Sequence, residues 1–123
     1  MAHYSGRQAL LVVMMEPKTG YNQTVERWYD EEHLAERLAV PGFLSARRYV
    51  AVEGEPRHLA LYDIEDTEVL EGEAYLIRKA HPTPLTAEVE AHARIIRNVY
   101  VDITPSSAGG PGPLPGSMTV KEG

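Results

Sequence analysis

The amino-acid sequence predicts a ferredoxin-like α+β sandwich, in which helices pack on one face of a four-stranded antiparallel sheet. Two observations support this prediction. Secondary-structure signals follow in the order β-α-β-β-α-β over residues 5–104, and the first strand is apolar on both sides. Because an open sheet face normally reads polar, the apolar second side indicates that another copy of the chain covers it. We therefore expect a homodimer whose two sheets face each other as a dimeric α+β barrel, with a monomer as the alternative.

The first half of the chain holds one strand and one helix. A continuous apolar run over residues 8–16 ends at Pro17 and predicts a buried strand. Asn22 is a favourable N-cap for a helix over residues 23–38, which Pro41-Gly42 ends. These two elements form the first β-α unit of the predicted sandwich.

The second half of the chain supplies a hairpin, a helical region and a last strand. Residues 43–52 and 57–64 are strand-like and flank turn chemistry over residues 53–56, which predicts the hairpin. Asp66 or Thr67 is suited to cap the helix that follows. The remaining predicted elements are a helix over residues 68–79, a short helix over residues 86–93 and a final strand over residues 94–103.

Length and composition exclude several classes of protein. The 123 residues suffice for one domain, predicted over residues 5–104, and the Pro- and Gly-rich residues 105–123 predict a tail. A formal charge of −6 argues against a nucleic-acid partner, which requires a basic face. The absence of cysteine excludes thiol catalysis and thiolate metal sites. Without a bilayer-length apolar run or a signal-peptide layout, we expect a cytoplasmic protein with no membrane partner.

The first helix carries the most unusual group of side chains, from Trp28 to His33. Asp30 lies three residues and Tyr29 four residues before His33, so either reaches the imidazole on a helix. A histidine with a carboxylate partner exchanges a proton near neutral pH, which predicts His33 and Asp30 as the catalytic acid/base groups. Trp28 and Tyr29 are then expected to contact the substrate. The alternative is an ordinary amphipathic helix with a solvated acidic face.

Polar side chains also occur where a half-buried sheet normally carries Val or Leu. By the two-residue alternation of strands, we expect four of them on one sheet face and in contact with substrate: His58, Tyr62, Asn98 and Tyr100. Arg48 is a further substrate-binding candidate, on the strand face opposite Arg47 and Tyr49. A few polar groups converging in an apolar cavity are typical of a small-molecule pocket. Alternatively, these side chains pair with one another across a dimer interface.

Motifs of other common sites are absent from the sequence. There is no glycine-rich phosphate loop, no Gly-x-Ser-x-Gly nucleophile elbow and no two-histidine zinc helix. Glu32, His33 and Glu36 offer metal ligands on one helix, but such offsets are common on ordinary helices. We therefore expect no metal site and no cofactor.

The helix and the strand that follows it resemble a known family. The segment Trp28-Tyr29-Asp30-Glu31-Glu32-His33, followed by Val40-Pro41-Gly42-Phe43 and Ala46-Arg47-Arg48-Tyr49, is similar to the EthD-like branch of the dimeric α+β barrel superfamily. The resemblance covers about residues 9–103. It implies the dimeric barrel fold and a functional role for His33, which matches the position most often proposed as functional in EthD-like sequences. The superfamily includes cofactor-free quinone-forming monooxygenases, cyclases, isomerases, dehydratases and haem-handling enzymes, so the resemblance implies the fold more specifically than the reaction.

Two classes of function are consistent with these observations. The first is a cofactor-independent enzyme of lyase, isomerase, cyclase or monooxygenase type, acting on a small, partly hydrophobic or aromatic metabolite with His33 as general acid or base. The second is a non-catalytic, ligand-binding or stress-related dimer. A closed cavity with His33 within hydrogen-bond reach of Tyr or Asp favours the enzyme, whereas a solvent-facing His33 favours the second class. Haem degradation is a third hypothesis, which a Soret band after addition of haemin would reveal.

Overall fold

The computed structural model describes residues 6–105 and 118–119 of the chain. In chain order, the elements are β1 (Ala9–Pro17), α1 (Asn22–Trp28), a π-helical turn (Tyr29–His33), α2 (Leu34–Leu38), β2 (Phe43–Val50), β3 (His58–Ile64), a 3₁₀ helix (Thr67–Glu71), α3 (Glu73–Ala80), α4 (Pro84–Ala91), β4 (Ala93–Val101) and β5 (Met118–Thr119). Most of the predicted tail, residues 106–117 and 120–123, lies outside the described residues.

The strands form one antiparallel sheet in the order β4-β1-β3-β2-β5. The first four strands are those that the sequence predicts, and the helices pack on one side of them. The short β5 adds two residue pairs at the outer edge of β2, opposite Ser45 and Ala46. The prediction of a ferredoxin-like sandwich with the fold of a dimeric α+β barrel is therefore confirmed.

The core lies between the sheet and the helices. Leu11 of β1 is opposite Tyr62 of β3 and Val99 of β4, so these three side chains share the helix side of the sheet. Trp28 and Tyr29 come from the helical side and are almost fully buried. The other large buried side chains of this core are Met15, Val25, Val40, Phe43, Ile64, Tyr75 and Val89.

The outer face of the sheet is apolar at its centre. Leu10, Val12 and Met14 of β1 lie there, flanked by Leu59 and Leu61 of β3. Val12 is only 8% exposed, because neighbouring side chains on this face already cover it. Both sides of β1 are thus apolar in three dimensions, as the sequence predicts, and the helices of the described residues cover only one of them. No helix among the described residues is long and apolar enough to cross a membrane.

The helices differ from the prediction in how they begin and where they are interrupted. Tyr21, not Asn22, is the N-cap of α1, and the Asn22 side chain turns to β3 instead. The predicted continuous helix contains a π-helical turn at Tyr29–His33. The second predicted helix is divided at Gly72 into the 3₁₀ helix, which the Asp66 carboxylate caps, and α3.

The turn between α2 and β2 requires a glycine for two reasons. Gly42 has a φ of +96°, which side chains other than glycine rarely adopt. A Cβ added at Gly42 would also overlap the side chain of Val69 in the 3₁₀ helix. The Pro41-Gly42 step therefore ends the helix and also lets Val69 of the 3₁₀ helix pack closely against the turn.

Candidate functional site

The π-helical turn brings an aromatic group together on the helix side of the sheet. Trp28 and His33 are five residues apart, which on an α-helix of 3.6 residues per turn would separate their directions by about 140°. The wider turn places their rings in a stack instead, with centroids 3.9 Å apart and planes 18° apart. Tyr29 lies 4.7 Å from Trp28, and Tyr62 approaches His33 edge-on at 6.4 Å.

A chain of hydroxyl groups fixes the indole of Trp28. Its Nε1–H donates to Thr86 Oγ1 at 2.9 Å, and Thr86 Oγ1 lies 3.1 Å from Thr83 Oγ1. The Thr83 hydroxyl donates to the carboxylate of Glu32, so the Thr86 hydroxyl is left to donate to Thr83. This chain of hydrogen bonds accounts for an acidic residue on the core-facing side of the helix. Through Thr83 and Thr86, Glu32 links the start of α4 to the indole of Trp28.

The imidazole of His33 is buried and electrically neutral. Only 7% of the residue is exposed, and Nδ1 has no hydrogen-bond partner among the described residues. Its nearest carboxylate oxygen belongs to Glu36, 3.7 Å away. Burial lowers the pKa of His33 to about 2, with smaller contributions from the positive charges of Arg37 and Lys79. His33 therefore carries no charge at neutral pH.

Asp30 does not contact His33 in this structure. Its carboxylate is 71% exposed and lies 3.6 Å from Nη1 of Arg48. The Arg48 guanidinium in turn covers the ring of Tyr29, with 4.2 Å between Cζ and the ring centroid. The predicted Asp30–His33 pair is thus replaced by an Asp30–Arg48 pair on the other side of Tyr29.

Arg48 also belongs to a polar network that fixes the proton on His58. Nη2 of Arg48 lies 3.0 Å from His58 Nδ1, and Asn22 Oδ1 lies 2.7 Å from His58 Nε2. Because arginine only donates, Nδ1 accepts and the proton is on Nε2, which donates to Asn22. Burial and the charges of Arg48 and Arg57 lower the pKa of His58. His58 is therefore a neutral structural link with both ring nitrogens engaged.

The four polar strand residues expected on one face are divided between two. His58 and Tyr62 are buried on the helix side, whereas Asn98 is opposite Val12 and Tyr100 is opposite Leu10 on the outer face. That prediction was wrong because alternation within one strand does not fix its phase relative to another strand. The pairing register decides the phase.

Several buried polar atoms on the helix side have no hydrogen-bond partner among the described residues. They are the hydroxyls of Tyr29 and Tyr62, Nδ1 of His33 and Nε of Arg48. Burial raises the pKa of Tyr29 to about 12 and holds the pKa of Tyr62 well above its usual value. Such groups each cost about 1–3 kcal/mol when unpaired, so their concentration beside His33 marks this region as a candidate site for water or a ligand.

A small cavity opens beside His33, between the helices and the β1–β4 side of the sheet. Its volume is about 70 Å³, which is room for a few water molecules. Trp28 and His33 form part of its buried wall. The other lining residues are Leu11, Val13, Met15, Arg37, Tyr75, Lys79, Thr86, Glu90, Ile95 and Arg97. A second cavity, of about 320 Å³, lies along Asp30, Arg48 and His58.

Within residues 6–105 and 118–119, no three His, Cys, Asp or Glu side chains are grouped so that they could hold a metal ion. The expectation that the protein needs neither metal nor cofactor remains a prediction.

Sequence reasoning missed residues of two polar clusters, the one around His58 and the one at the cavity beside His33. Asn22 was assigned to a helix cap, yet it binds a histidine 36 residues away. Thr86 and the three cations Arg37, Lys79 and Arg97 were not singled out. The charge pattern of α3 and β4 carried a usable signal, because basic residues there fall on elements that face the same cavity.

The fold is shared with several solved structures. SnoaB, a cofactor-independent oxygenase from Streptomyces nogalater, has a TM-score of 0.58 at 12% identity, covering 80% of this chain and 96% of SnoaB. The haem degrader MhuD from Mycobacterium tuberculosis has a TM-score of 0.57 at 17% identity, covering 79% and 97%. An EthD family protein from Bacillus halodurans has a TM-score of 0.53 at 12% identity, covering 74% and 96%. No protein-family model and no curated protein sequence matches the chain.

These similarities define the class of fold. At such low identity they establish the fold alone, the α+β architecture of a dimeric barrel, and leave the reaction open. The sequence resemblance to the EthD-like branch and the structural similarity to an EthD family protein agree on that architecture.

Proposed function

We propose that this protein is a homodimeric, cofactor-independent enzyme that acts on a small, partly aromatic metabolite bound between the helices and the sheet. The observation that carries the proposal is the neutral, buried imidazole of His33, stacked on Trp28 beside a cavity and lacking a partner for Nδ1. A buried polar atom next to a cavity is available to a ligand. The oxygenase activity of SnoaB, a protein of the same fold, is consistent with this class of function.

In this proposal His33 acts as the base. A neutral imidazole accepts a hydrogen bond from a substrate hydroxyl and takes its proton as negative charge develops on the substrate. Trp28, in the wall of the cavity, holds the aromatic body of the substrate. Tyr29 and Tyr62 do not line the cavity and act by packing against Trp28 and His33. Asp30 and His58 act through Arg48, which packs on Tyr29, and are positioning residues.

The activity test compares His33→Gln with a matched surface variant, His81→Gln. Turnover of a panel of single-ring phenols is followed by oxygen uptake and by absorbance, with a chelator present and no flavin added. We expect the wild-type protein and His81→Gln to be equally active, and His33→Gln to be slower by about 10²–10⁴-fold. Equal turnover by His33→Gln and wild type would remove His33 from the mechanism.

A non-catalytic ligand-binding dimer is the second candidate, and the pKa of His33 favours it. A pKa of about 2 is far from the neutral value at which a general base works best. In that case His33→Gln weakens ligand binding, and no variant or wild-type protein turns over any member of the panel.

Haem degradation is the third hypothesis, and the cavity does not fit it. A volume of about 70 Å³ beside His33 is far too small for a porphyrin macrocycle. We therefore expect no Soret band to develop when haemin is added to the protein.

The homodimer rests on the apolar outer face of the sheet. Leu10, Val12, Met14, Leu59 and Leu61 present a continuous apolar surface there, and two such faces bury each other in a twofold dimer. Asn98 and Tyr100 then lie in that interface and do not reach the cavity beside His33. Light scattering should give about twice the chain mass of 13.7 kDa.

One added charge at the interface should convert this dimer to a monomer. Met14→Glu buries a carboxylate in the interface, so we expect a folded monomer at micromolar concentration. Val52→Glu, a change at a fully exposed residue of the hairpin turn, should remain dimeric. A dimeric Met14→Glu variant would place the interface elsewhere. The cytoplasmic location remains a prediction from the sequence.

A further inference from the structure

Three positive side chains at the cavity beside His33 have no carboxylate partner within the part of the chain that the structure describes. Among the described residues, carboxylates lie within 4.0 Å of Arg27, Arg48 and Arg78. None lies that close to the three cations that line the cavity: Arg37, Lys79 and Arg97. Other cations, such as Lys18 and Arg94, also have no carboxylate within 4.0 Å among the described residues, so the distinctive feature is that three such cations line one cavity.

Two of these cations contact the side chain of Tyr75 in place of a carboxylate. The guanidinium of Arg37 lies over the ring of Tyr75, with 5.1 Å between Cζ and the centroid. Nη2 of Arg97 donates to the Tyr75 hydroxyl at 3.3 Å. Tyr75 itself is 3% exposed and therefore fixed. Both guanidinium groups are thus positioned with no carboxylate of the described residues within 4.0 Å, which is an arrangement suited to an incoming anion.

The remaining charges at the cavity do not balance these cations. Glu90 is the one carboxylate in its lining, against three cations. His33 adds no positive charge, and its unpaired Nδ1 accepts or donates a hydrogen bond according to the ring tautomer. The cavity therefore combines a positive rim with a buried aromatic wall made of Trp28 and His33.

We propose that the ligand of this cavity is a small aromatic acid, whose carboxylate or phenolate is bound by Arg37, Lys79 and Arg97 and whose ring lies against Trp28. This inference rests on the proposed function, because it assigns the ligand class of the same cavity. The volume of about 70 Å³ is smaller than a single ring requires, so the ring enters only as the exposed side chains of Lys79 and Arg97 move outward, and a larger ring system is disfavoured.

The test uses a matched pair of probes, benzoate and benzamide, which have nearly the same shape and differ in charge. Trp28 is the only tryptophan of the chain, so its fluorescence reports binding at this cavity. At neutral pH and low ionic strength we expect benzoate to give a saturable change and benzamide to bind at least about tenfold more weakly. Added salt should weaken benzoate binding and leave benzamide unaffected.

Two charge-removing variants locate the anion. Lys79→Gln and Arg97→Gln should each weaken benzoate binding by about fivefold to tenfold and leave benzamide binding unchanged. Arg27→Gln removes an exposed charge on the solvent side of α1 and serves as the control. Arg37 is left intact because its packing on Tyr75 contributes to the fold.

Three results would overturn this inference. Equal affinities for benzoate and benzamide would show a binding cavity without preference for anions, and the proposed function would stand. Unchanged benzoate affinity in both Lys79→Gln and Arg97→Gln would place the anion elsewhere. The absence of any benzoate response at Trp28 would also refute it. The proposed function fails separately, if His33→Gln turns over substrate as fast as wild type.

Discussion

The buried neutral His33 should make the stability of this protein fall in mild acid. In the unfolded chain His33 titrates near its usual pKa of 6.5, whereas in the folded protein burial lowers that pKa to about 2. Below pH 6.5 the unfolded state therefore binds a proton that the folded state does not. The contribution of His33 to stability is complete above this pH and is lost as the pH falls.

The size of the effect follows from the two pKa values. The free energy of unfolding falls by about 1.4 kcal/mol for each pH unit below 6.5, until the pH approaches the folded pKa. Because the slope develops gradually around 6.5, we expect a loss of about 2 kcal/mol between about pH 7.5 and about pH 5. This is a large share of the 5–15 kcal/mol typical of small domains.

Urea denaturation followed by circular dichroism measures this loss. Wild type, His33→Gln and the exposed control His81→Gln are compared at several pH values and one protein concentration, since dimers unfold with a concentration-dependent midpoint. His58, whose pKa is also lowered, contributes equally to all three proteins and cancels in the difference. Wild type and His81→Gln should lose about 2 kcal/mol more than His33→Gln over this pH range.

The comparison rests on slopes and not on absolute stability, so a less stable His33→Gln protein remains informative. If His33→Gln loses stability with falling pH as steeply as wild type, His33 is charged or exposed in the folded protein. The assignment of a neutral buried imidazole, and of a base at that position, would then be wrong.

Three further changes test other parts of the structure. Thr86→Val leaves the buried N–H of Trp28 without its acceptor. Thermal unfolding should then show a loss of about 1–3 kcal/mol in the free energy of unfolding, together with altered Trp28 fluorescence. The control Thr19→Val, in an exposed turn, should show neither effect. Gly42→Ala should destabilise clearly more than Gly54→Ala, because both have positive φ but only the first overlaps Val69. Removing residues 106–123 should lower the melting midpoint by no more than a few degrees, because the described part of this segment adds only two residue pairs to β2. A larger drop in the midpoint would show that the tail is docked on the domain.

The sequence was sufficient to predict the sheet, because the double-sided apolar pattern of β1 and the hairpin turn are local signals. Local signals do not fix contacts that depend on register. His58 and Asn98 each alternate correctly within their own strands, but β1 sits between those strands and its pairing places them on opposite faces. Asn22 has the chemistry of a helix cap, and only the folded chain brings Arg57 and His58 to its side-chain oxygen.

In the helix that carries Trp28 and His33, local sequence signals likewise do not predict the contacts of the site. A regular period of 3.6 residues puts Trp28 and Glu32 on one stripe and directs His33 away from Trp28. No residue between them is a conventional marker of a π-helical turn, so the stack of Trp28 on His33 was not foreseen. The resemblance pointed to His33 all the same, because it rests on the identity of the residue and not on its direction.

The π-helical turn also bears on how such a site can arise in evolution. Its hydrogen bonds span five residues where an α-helical turn spans four, so it accommodates one residue more in the same length of helix. Loss of a single codon within this turn would restore a regular α-helical turn and leave α1 and α2 packed on the sheet, with the tryptophan and the histidine four residues apart and still on one face of the helix. The π-helical turn can therefore absorb a one-residue change in the length of the helix without displacing the core or separating the two rings.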